Sequence, residues 1–219
     1  MFVTVFNIIL TMHVAAGTMA LGSAGIAIFS RKGATIHRRF GRIYALAMSV
    51  AVLSALVLAL LDLNAFLLLI SLFTLYLVFT GWRAAVVRSG VQGRLDRVIG
   101  GGMGLLGMGM IGWGCATLSM NGSQPASVLI VFGTIGVVLA LTDWRHWRRG
   151  AIAGTSRTVR HLSRMLAATI ATLTATAVVN LGHLPAVLVW LGPTLLLAPV
   201  ITWWIHRVNR SDSQTEPVR

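Results

Sequence analysis

Long apolar runs separated by short polar or basic segments dominate the pattern of this chain. The runs are about 20 residues long, enough to cross a bilayer core that is about 30 Å thick. They recur along the whole length, so the apolar surface faces lipid as well as a protein core. The pattern predicts an all-α polytopic membrane protein with seven transmembrane helices, at residues 5–29, 41–61, 65–87, 98–120, 126–141, 161–181 and 184–205.

The basic residues predict how the helices are oriented. All 18 lysines and arginines fall on alternate connections or on the C-terminal tail, and the connections at 62–64, 121–125 and 182–183 carry none. Basic connections stay in the cytoplasm by the positive-inside rule. We therefore expect the N-terminus outside, the C-terminus in the cytoplasm, and a multi-pass protein of the bacterial inner (plasma) membrane.

Composition and charge agree with one membrane domain at residues 1–208, followed by a disordered cytoplasmic tail at 209–219. The chain is 56% hydrophobic and 11% charged, with a mean hydropathy of +0.82. Its net charge of +13 would indicate nucleic acid in a soluble protein. Because these charges stand between apolar runs, the predicted partner is instead the bilayer, with anionic lipids at its cytoplasmic face and no nucleic acid.

Several packing features follow from the residue pattern. The short outer connections predict helical hairpins for the second and third helices and for the sixth and seventh. The inner connection 143–160 is long and contains glycines, so we expect it to be mobile. The seventh helix contains Gly192 and Pro193, which predict a kink. In the fourth helix, one face carries small residues that allow another backbone to approach closely: Gly100, Gly104, Gly107 and Gly114.

The histidines are the candidates for chemistry. His13 lies within the first predicted helix, where an ionisable side chain is costly and often functional; the alternative is a neutral imidazole hydrogen-bonded between helices. His37 with His161, and His13 with His183, are predicted at similar depths, as the two ligands of a b-type haem must be. Arg38, Arg39 and Arg42 would pair with the haem propionates. For His37 and His161, the alternative is contact with lipid head groups and water. The predicted cofactor-binding residues are His13, His37, His161, His183, Arg38 and Arg42.

Other chemistry finds little support in the sequence. The single cysteine, Cys115, cannot form a metal cluster with other cysteines. Only five residues are acidic, which argues against a hard-cation site and against hydrolysis by paired carboxylates. No metal site and no catalytic residue are assigned, and whether the protein is an enzyme is left open.

Part of the chain resembles a known bacterial family. The segment from His13 to Leu21, the segment from Arg31 to Gly33, and the segment from His37 to Tyr44 carry the resemblance. They are similar to the predicted membrane proteins catalogued as domain of unknown function 2306, which have a histidine and a glycine in their first core helix and then a His-Arg-x-x-Gly-Arg-x-Tyr segment. The resemblance covers mainly residues 10–60 and implies a membrane fold without an assigned activity. The His-Arg-x-x-Gly-Arg string is also similar to segments of haem-handling membrane families, including haem A synthases and ferric-reductase-like proteins, which implies a histidine at or near a haem ligand.

Three functions remain open at the level of the sequence. The leading hypothesis is a small b-type haem-binding or redox membrane protein. An alternative is a small-solute transporter or channel-like protein, with His13 and Asn180 lining a path and a glycine-rich helix able to move. Another alternative is an accessory subunit that docks a partner, or a second copy of itself, through small-residue helix faces.

Overall fold

The computed structural model confirms the seven helices. It describes residues 2–87, 89–121, 124–152 and 154–213, and these residues contain helices and connections without a strand. All seven helices are long and apolar enough to cross a membrane. The helices are α1 (Phe2–Phe29), α2 (Thr35–Leu61), α3 (Ala65–Val86), α4 (Arg94–Asn121), α5 (Gln124–Arg149), α6 (Gly154–Asn180) and α7 (Ala186–Ser213).

The exposed sides of these helices are apolar, as lipid-facing surfaces are. Leu46 of α2, Leu105 of α4 and Leu195 of α7 expose 70%, 69% and 71% of their surface. Exposing so many large apolar side chains to water is unfavourable, whereas contact with lipid tails carries no such cost. The seven helices are therefore those of an integral, multi-pass membrane protein.

Several helices extend beyond the predicted apolar runs at their basic ends. α2 begins at Thr35, α5 continues to Arg149, and α6 begins at Gly154. A helix does not have to end where its side chains become charged, because long arginines reach the interface while the backbone keeps its hydrogen bonds. Likewise α7 continues to Ser213, so the first five residues of the predicted disordered tail are helical, and residues 214–219 lie outside the described part.

The prediction of a long mobile connection at 143–160 is wrong. Most of that segment is helical, and only residues 150–152 are described between α5 and α6. Ile152 is buried, with 4% exposed, and its backbone N–H donates to the carbonyl oxygen of Gly90 over 2.9 Å. Two glycines of the segment instead stand at helix ends, where Gly150 and Gly154 take the positive φ angles of 99° and 54°.

The chain divides into two compact units, Met1–Val78 and Phe79–Arg219. The single transmembrane domain at residues 1–208 stays a prediction. In the first unit, α1 packs along α2. In the second unit, α4 packs along α5, α6 along α7, and α5 also contacts α7. The predicted hairpin of the sixth and seventh helices is therefore confirmed. α7 is helical through Pro193 and Pro199, and its kink stays a prediction.

The predicted glycine face of α4 is confirmed as the surface against α5. A Cβ on Gly107 would lie 2.7 Å from the carbonyl oxygen of Gly133, and a Cβ on Gly114 would lie 2.8 Å from that of Ala126. Real side chains do not approach so closely, so the two backbones touch only because these residues are glycine. The glycines with neighbours on α5 are Gly100, Gly104, Gly107 and Gly114.

This contact yields a prediction about stability. We expect Gly107→Ala to lower the free energy of unfolding by about 2 kcal/mol, because overpacking an interface costs roughly 1–3 kcal/mol. Gly109→Ala is the matched control on the same helix, since its Cβ would meet nothing within 4 Å. It should leave stability unchanged or raise it by up to about 1 kcal/mol, because alanine forms helices better than glycine. Thermal unfolding in a mild detergent measures both, and equal effects of the two variants would contradict the close contact.

Candidate functional site

His13 joins the two helices of the first unit that pack together. Its Nδ1 is 2.8 Å from the carbonyl oxygen of Ala51 on α2 and 3.3 Å from Oγ of Ser54. A carbonyl can only accept a hydrogen bond, so Nδ1 is the nitrogen that carries the proton. This is the interhelical hydrogen bond that the sequence offered as the alternative to a functional role.

His37 contacts the end of α1 from the first turn of α2. Its Nδ1 is 3.0 Å from the carbonyl oxygen of Ala27, and Nζ of Lys32 donates to the carbonyl oxygens of Ala27 (3.4 Å) and Ile28. The last carbonyls of a helix lack donors within the helix, so both side chains cap α1. Partial burial lowers the pKa of Lys32. Arg38 and Arg42 of the same segment are exposed.

In the second unit, His161 and His183 have different settings. Nδ1 of His161, on α6, is 3.0 Å from the carbonyl oxygen of Gly81 on α3. A Cβ on Gly81 would lie 2.7 Å from Sδ of Met165, so glycine is what allows α6 to come this close. His183 is exposed in the turn between α6 and α7. Each of the half-buried histidines His13, His37 and His161 thus bonds a carbonyl of another helix.

These hydrogen bonds alone do not decide whether haem is bound. Histidine ligands of metals also commonly donate their second ring nitrogen to a carbonyl, so the geometry is compatible with ligation through Nε2. The two cavities described below are lined by other residues, and neither contains a histidine. Neither cavity therefore offers a haem pocket to the predicted ligands, and the cofactor-binding set stays a prediction.

A second group of polar side chains lies at the basic ends of α3, α4, α5 and α6. Arg83 of α3 holds Asp96 of α4 with two hydrogen bonds, from Nε to Oδ1 over 2.6 Å and from Nη2 to Oδ2 over 2.8 Å. The backbone N–H of Gly93 also donates to Oδ2, over 2.9 Å. Asp96 is buried, with 7% exposed. A bidentate arginine–carboxylate pair fixes the position and the orientation of both side chains. It therefore joins the start of α4 to the end of α3.

Asp143 of α5 is the centre of the neighbouring contact with α6. Its Oδ1 is 2.8 Å from Nη2 of Arg164 and 3.2 Å from Nη2 of Arg160. Arg164 is almost fully buried, with 2% exposed, and its Nη2 also donates to the carbonyl oxygen of Leu139 over 3.1 Å. Both arginines belong to α6, so these ion pairs join α5 to α6 within the second unit.

The α3–α4 and α5–α6 connections lie beside these ion pairs. Gly90, in the α3–α4 connection, has a φ of 66°, and a Cβ there would overlap the carbonyl group of Ile152. Only glycine satisfies both the positive φ and the close approach. The hydrogen bond from Ile152 to Gly90 then joins this connection to the α5–α6 connection beside a cavity of about 20 Å³.

Buried donors without acceptors line this small cavity, which we call the arginine cavity. Its polar lining consists of Arg83, Gln92, Asp96, Arg157 and Arg160. Nε2 of Gln92, Nη1 of Arg157 and Nε of Arg160 are buried and have no hydrogen-bond partner among the residues that the structure describes. Burying such groups unpaired is costly, so their convergence indicates a place for an acceptor.

The charges around the arginine cavity do not balance. Among the described residues, the cavity and its ion pairs contain four arginines, at 83, 157, 160 and 164, but two aspartates, at 96 and 143. Within this set, two positive charges are therefore in surplus. A buried charge without a counter-charge is strongly disfavoured, so the arrangement favours an anion.

The sequence contained a signal for this cluster that the histidine-centred hypothesis did not use. Arg157, Arg160 and Arg164 are spaced by three and four residues, which places them on one face of a helix. Two of the five acidic residues, Asp96 and Asp143, stand at the basic ends of apolar helices. Ionisable side chains within membrane helices are costly unless they are paired, so acids placed there indicate buried counter-ions.

Comparison with protein-family models, with curated proteins and with solved structures gave no match for this chain. The resemblance over residues 10–60 therefore stays a prediction. The geometry of the described residues is what supports a function.

The buried ion pairs lead to a second stability prediction. We expect Asp143→Asn to lower the free energy of unfolding by about 3 kcal/mol or more, because it leaves Arg160 and Arg164 buried without their counter-charge. Asp62→Asn makes the same chemical change at an exposed site and should stay within about 0.5 kcal/mol of the parent. Denaturant unfolding in detergent micelles measures both. A parent-like Asp143→Asn would show that the pair does not carry stability.

Proposed function

We propose that this multi-pass membrane protein has its N-terminus outside and its basic helix ends in the cytoplasm of a bacterial cell. The proposal is supported by the position of the 18 lysines and arginines, which lie in alternate connections, in the helix ends that flank them, and in the C-terminal tail. In a membrane with a cytoplasmic anionic surface, that distribution sets orientation. The arginine cavity would then open at the cytoplasmic side.

Labelling with a membrane-impermeant maleimide tests the orientation. In a Cys115→Ser background, we expect Asp62→Cys to be labelled in intact spheroplasts and Ala151→Cys to be labelled only after lysis. Both positions are exposed in connections, so neither substitution disturbs a helix contact. The reverse pattern would overturn the orientation.

We propose further that the protein binds and passes a small anion, as a transporter or channel-like protein. The observation that carries this proposal is the arginine cavity, with two surplus positive charges and three buried donors without acceptors. Arginine N–H groups aimed at an anion in a poorly hydrated site form strong, charge-assisted hydrogen bonds. Basic side chains are the lining that anion pores use.

The small volume of the cavity favours a small anion. A volume of about 20 Å³ admits about one water-sized group. Chloride is of that size, whereas a phosphate group with its four oxygens is larger. Chloride is therefore the probe of choice, and phosphate is the matching negative probe.

The other two functions are less well supported by the described geometry. The haem hypothesis needs a pocket beside its histidines, and both described cavities lie elsewhere. Docking of a partner through the predicted glycine face meets the difficulty that this face already packs against α5. Both hypotheses stay predictions.

Chloride flux from vesicles tests the proposed function. Purified protein in chloride-loaded liposomes should release chloride when valinomycin balances the charge. We expect Arg157→Gln to lower the rate about tenfold or more, because a hydrogen bond to a charged group contributes roughly 1.5–3 kcal/mol. Arg94→Gln is the matched control, since Arg94 is exposed and does not line the cavity.

Three outcomes would count against transport. Flux equal to that of empty liposomes, or equal flux from both variants, contradicts it directly. Stabilisation by chloride without flux would show a static anion site. A Soret band in the oxidised or dithionite-reduced protein would instead support the haem hypothesis.

A further inference from the structure

A second cavity lies along the outside of the α4–α5 pair. It has a volume of about 350 Å³ and is lined mainly by apolar groups, among them Gly101, Gly104, Met108, Leu141, Trp144 and Trp147. We call it the α4–α5 groove. It shares Gln92 and Asp96 with the arginine cavity and is otherwise separate from it.

The glycines of α4 create this groove. The face with Gly100 and Gly104 meets α5, while the adjacent Gly101 has nothing within 4 Å of the place where its Cβ would be. Missing side chains on one helix thus leave a channel beside the exposed side chains Met108, Leu141 and Trp144, which expose 55%, 46% and 48% of their surface. An apolar channel on a membrane helix pair is filled by something apolar, because an empty one forfeits dispersion contacts.

The length of the groove matches one leaflet. On α4 the lining runs from Arg97 to Met108, and on α5 from Val137 to Trp147. At 1.5 Å per residue both stretches span about 15 Å, half of a hydrocarbon core of about 30 Å. Its volume accommodates roughly a dozen water-sized groups at about 30 Å³ each, which is the scale of the methylenes in one acyl chain.

The charge at the mouth of the groove specifies the head group. The two aspartates that line it, Asp96 and Asp143, are already paired with arginines. Arg97 stacks on Trp147 at 5.1 Å from the ring centroid, and its positive charge stands at the same end. A tryptophan and an arginine at this depth are the usual neighbours of a lipid phosphate. The mouth is complementary to an anionic phosphate.

From these observations we propose that the α4–α5 groove is a binding site for one anionic phospholipid. One acyl chain lies along Gly101 and Gly104, and the phosphate pairs with Arg97. The site does not depend on the transport of an anion through the arginine cavity.

Lipid retention tests this site. The protein is reconstituted in nanodiscs that contain equal amounts of phosphatidylglycerol and phosphatidylcholine, and is then extracted into mild detergent. Native mass spectrometry identifies the lipid that stays bound. We expect the wild-type protein to retain phosphatidylglycerol in preference to phosphatidylcholine. Arg97→Gln should remove that preference, because it removes the charge that distinguishes the two head groups.

A matched pair of leucine variants tests the chain position. Gly101→Leu fills the groove, whereas Gly112→Leu adds the same side chain to the same helix outside it; neither Cβ meets an atom within 4 Å. We expect Gly101→Leu to lose the retained lipid and Gly112→Leu to keep it. The melting temperature of each variant confirms that it is folded.

Several results would overturn the proposal. One is equal retention of both lipids by the wild-type protein, which needs no variant and stands even if Gly101→Leu fails to fold. Another is unchanged retention in folded Gly101→Leu. A third is a change in the number of protein copies in Gly101→Leu with unchanged lipid, which would assign the groove to a second copy of the chain. Chloride flux is measured separately, so failure of either proposal is distinguishable from failure of the other.

Discussion

The second unit depends on a carboxylate that cannot be buried alone. Asp143 lies inside a membrane helix with 5% of its surface exposed, and Arg160 and Arg164 supply its counter-charge from α6. Because removing one partner of a buried pair costs about 3–5 kcal/mol, α5 and α6 can meet only in the register that joins these groups. The same requirement holds for Arg83 and Asp96 between α3 and α4.

Histidines hold helices together where the charges do not. His13 and His37 of the first unit and His161 of the second each bond a carbonyl oxygen on another helix. A hydrogen bond of this kind stabilises the contact between two helices, because the lipid core offers no competing hydrogen-bond partner. The segment from Thr35 to Tyr44 is accordingly the start of α2, and its His37 caps the end of α1. The arginines of this segment are exposed. These contacts account for its residues without its similarity to segments of haem-handling families.

Two cavities lie at the basic ends of α3–α6. The arginine cavity lies where the hydrogen bond from Ile152 to Gly90 joins two connections beside the ion pairs. The groove exists because α4 uses some of its glycines to touch α5 and leaves another, Gly101, open. Gln92 and Asp96 belong to both linings, so the proposed anion site and the proposed lipid site adjoin within one unit.

The sequence by itself determined the seven helices, the alternation of basic ends and the glycine face of α4. These follow from local rules: the length of an apolar run, the side of the membrane that retains arginine, and the 3.6-residue period. Helix ends were less predictable, because charged side chains can extend a helix past its apolar run. Only the tertiary structure decided which residues meet. Asp143 pairs with Arg160 and Arg164 of α6, Ile152 bonds Gly90 of another connection, and His161 bonds Gly81 across 80 positions of sequence. Such partners depend on which helix faces lie together, and one chain's local pattern does not contain that information.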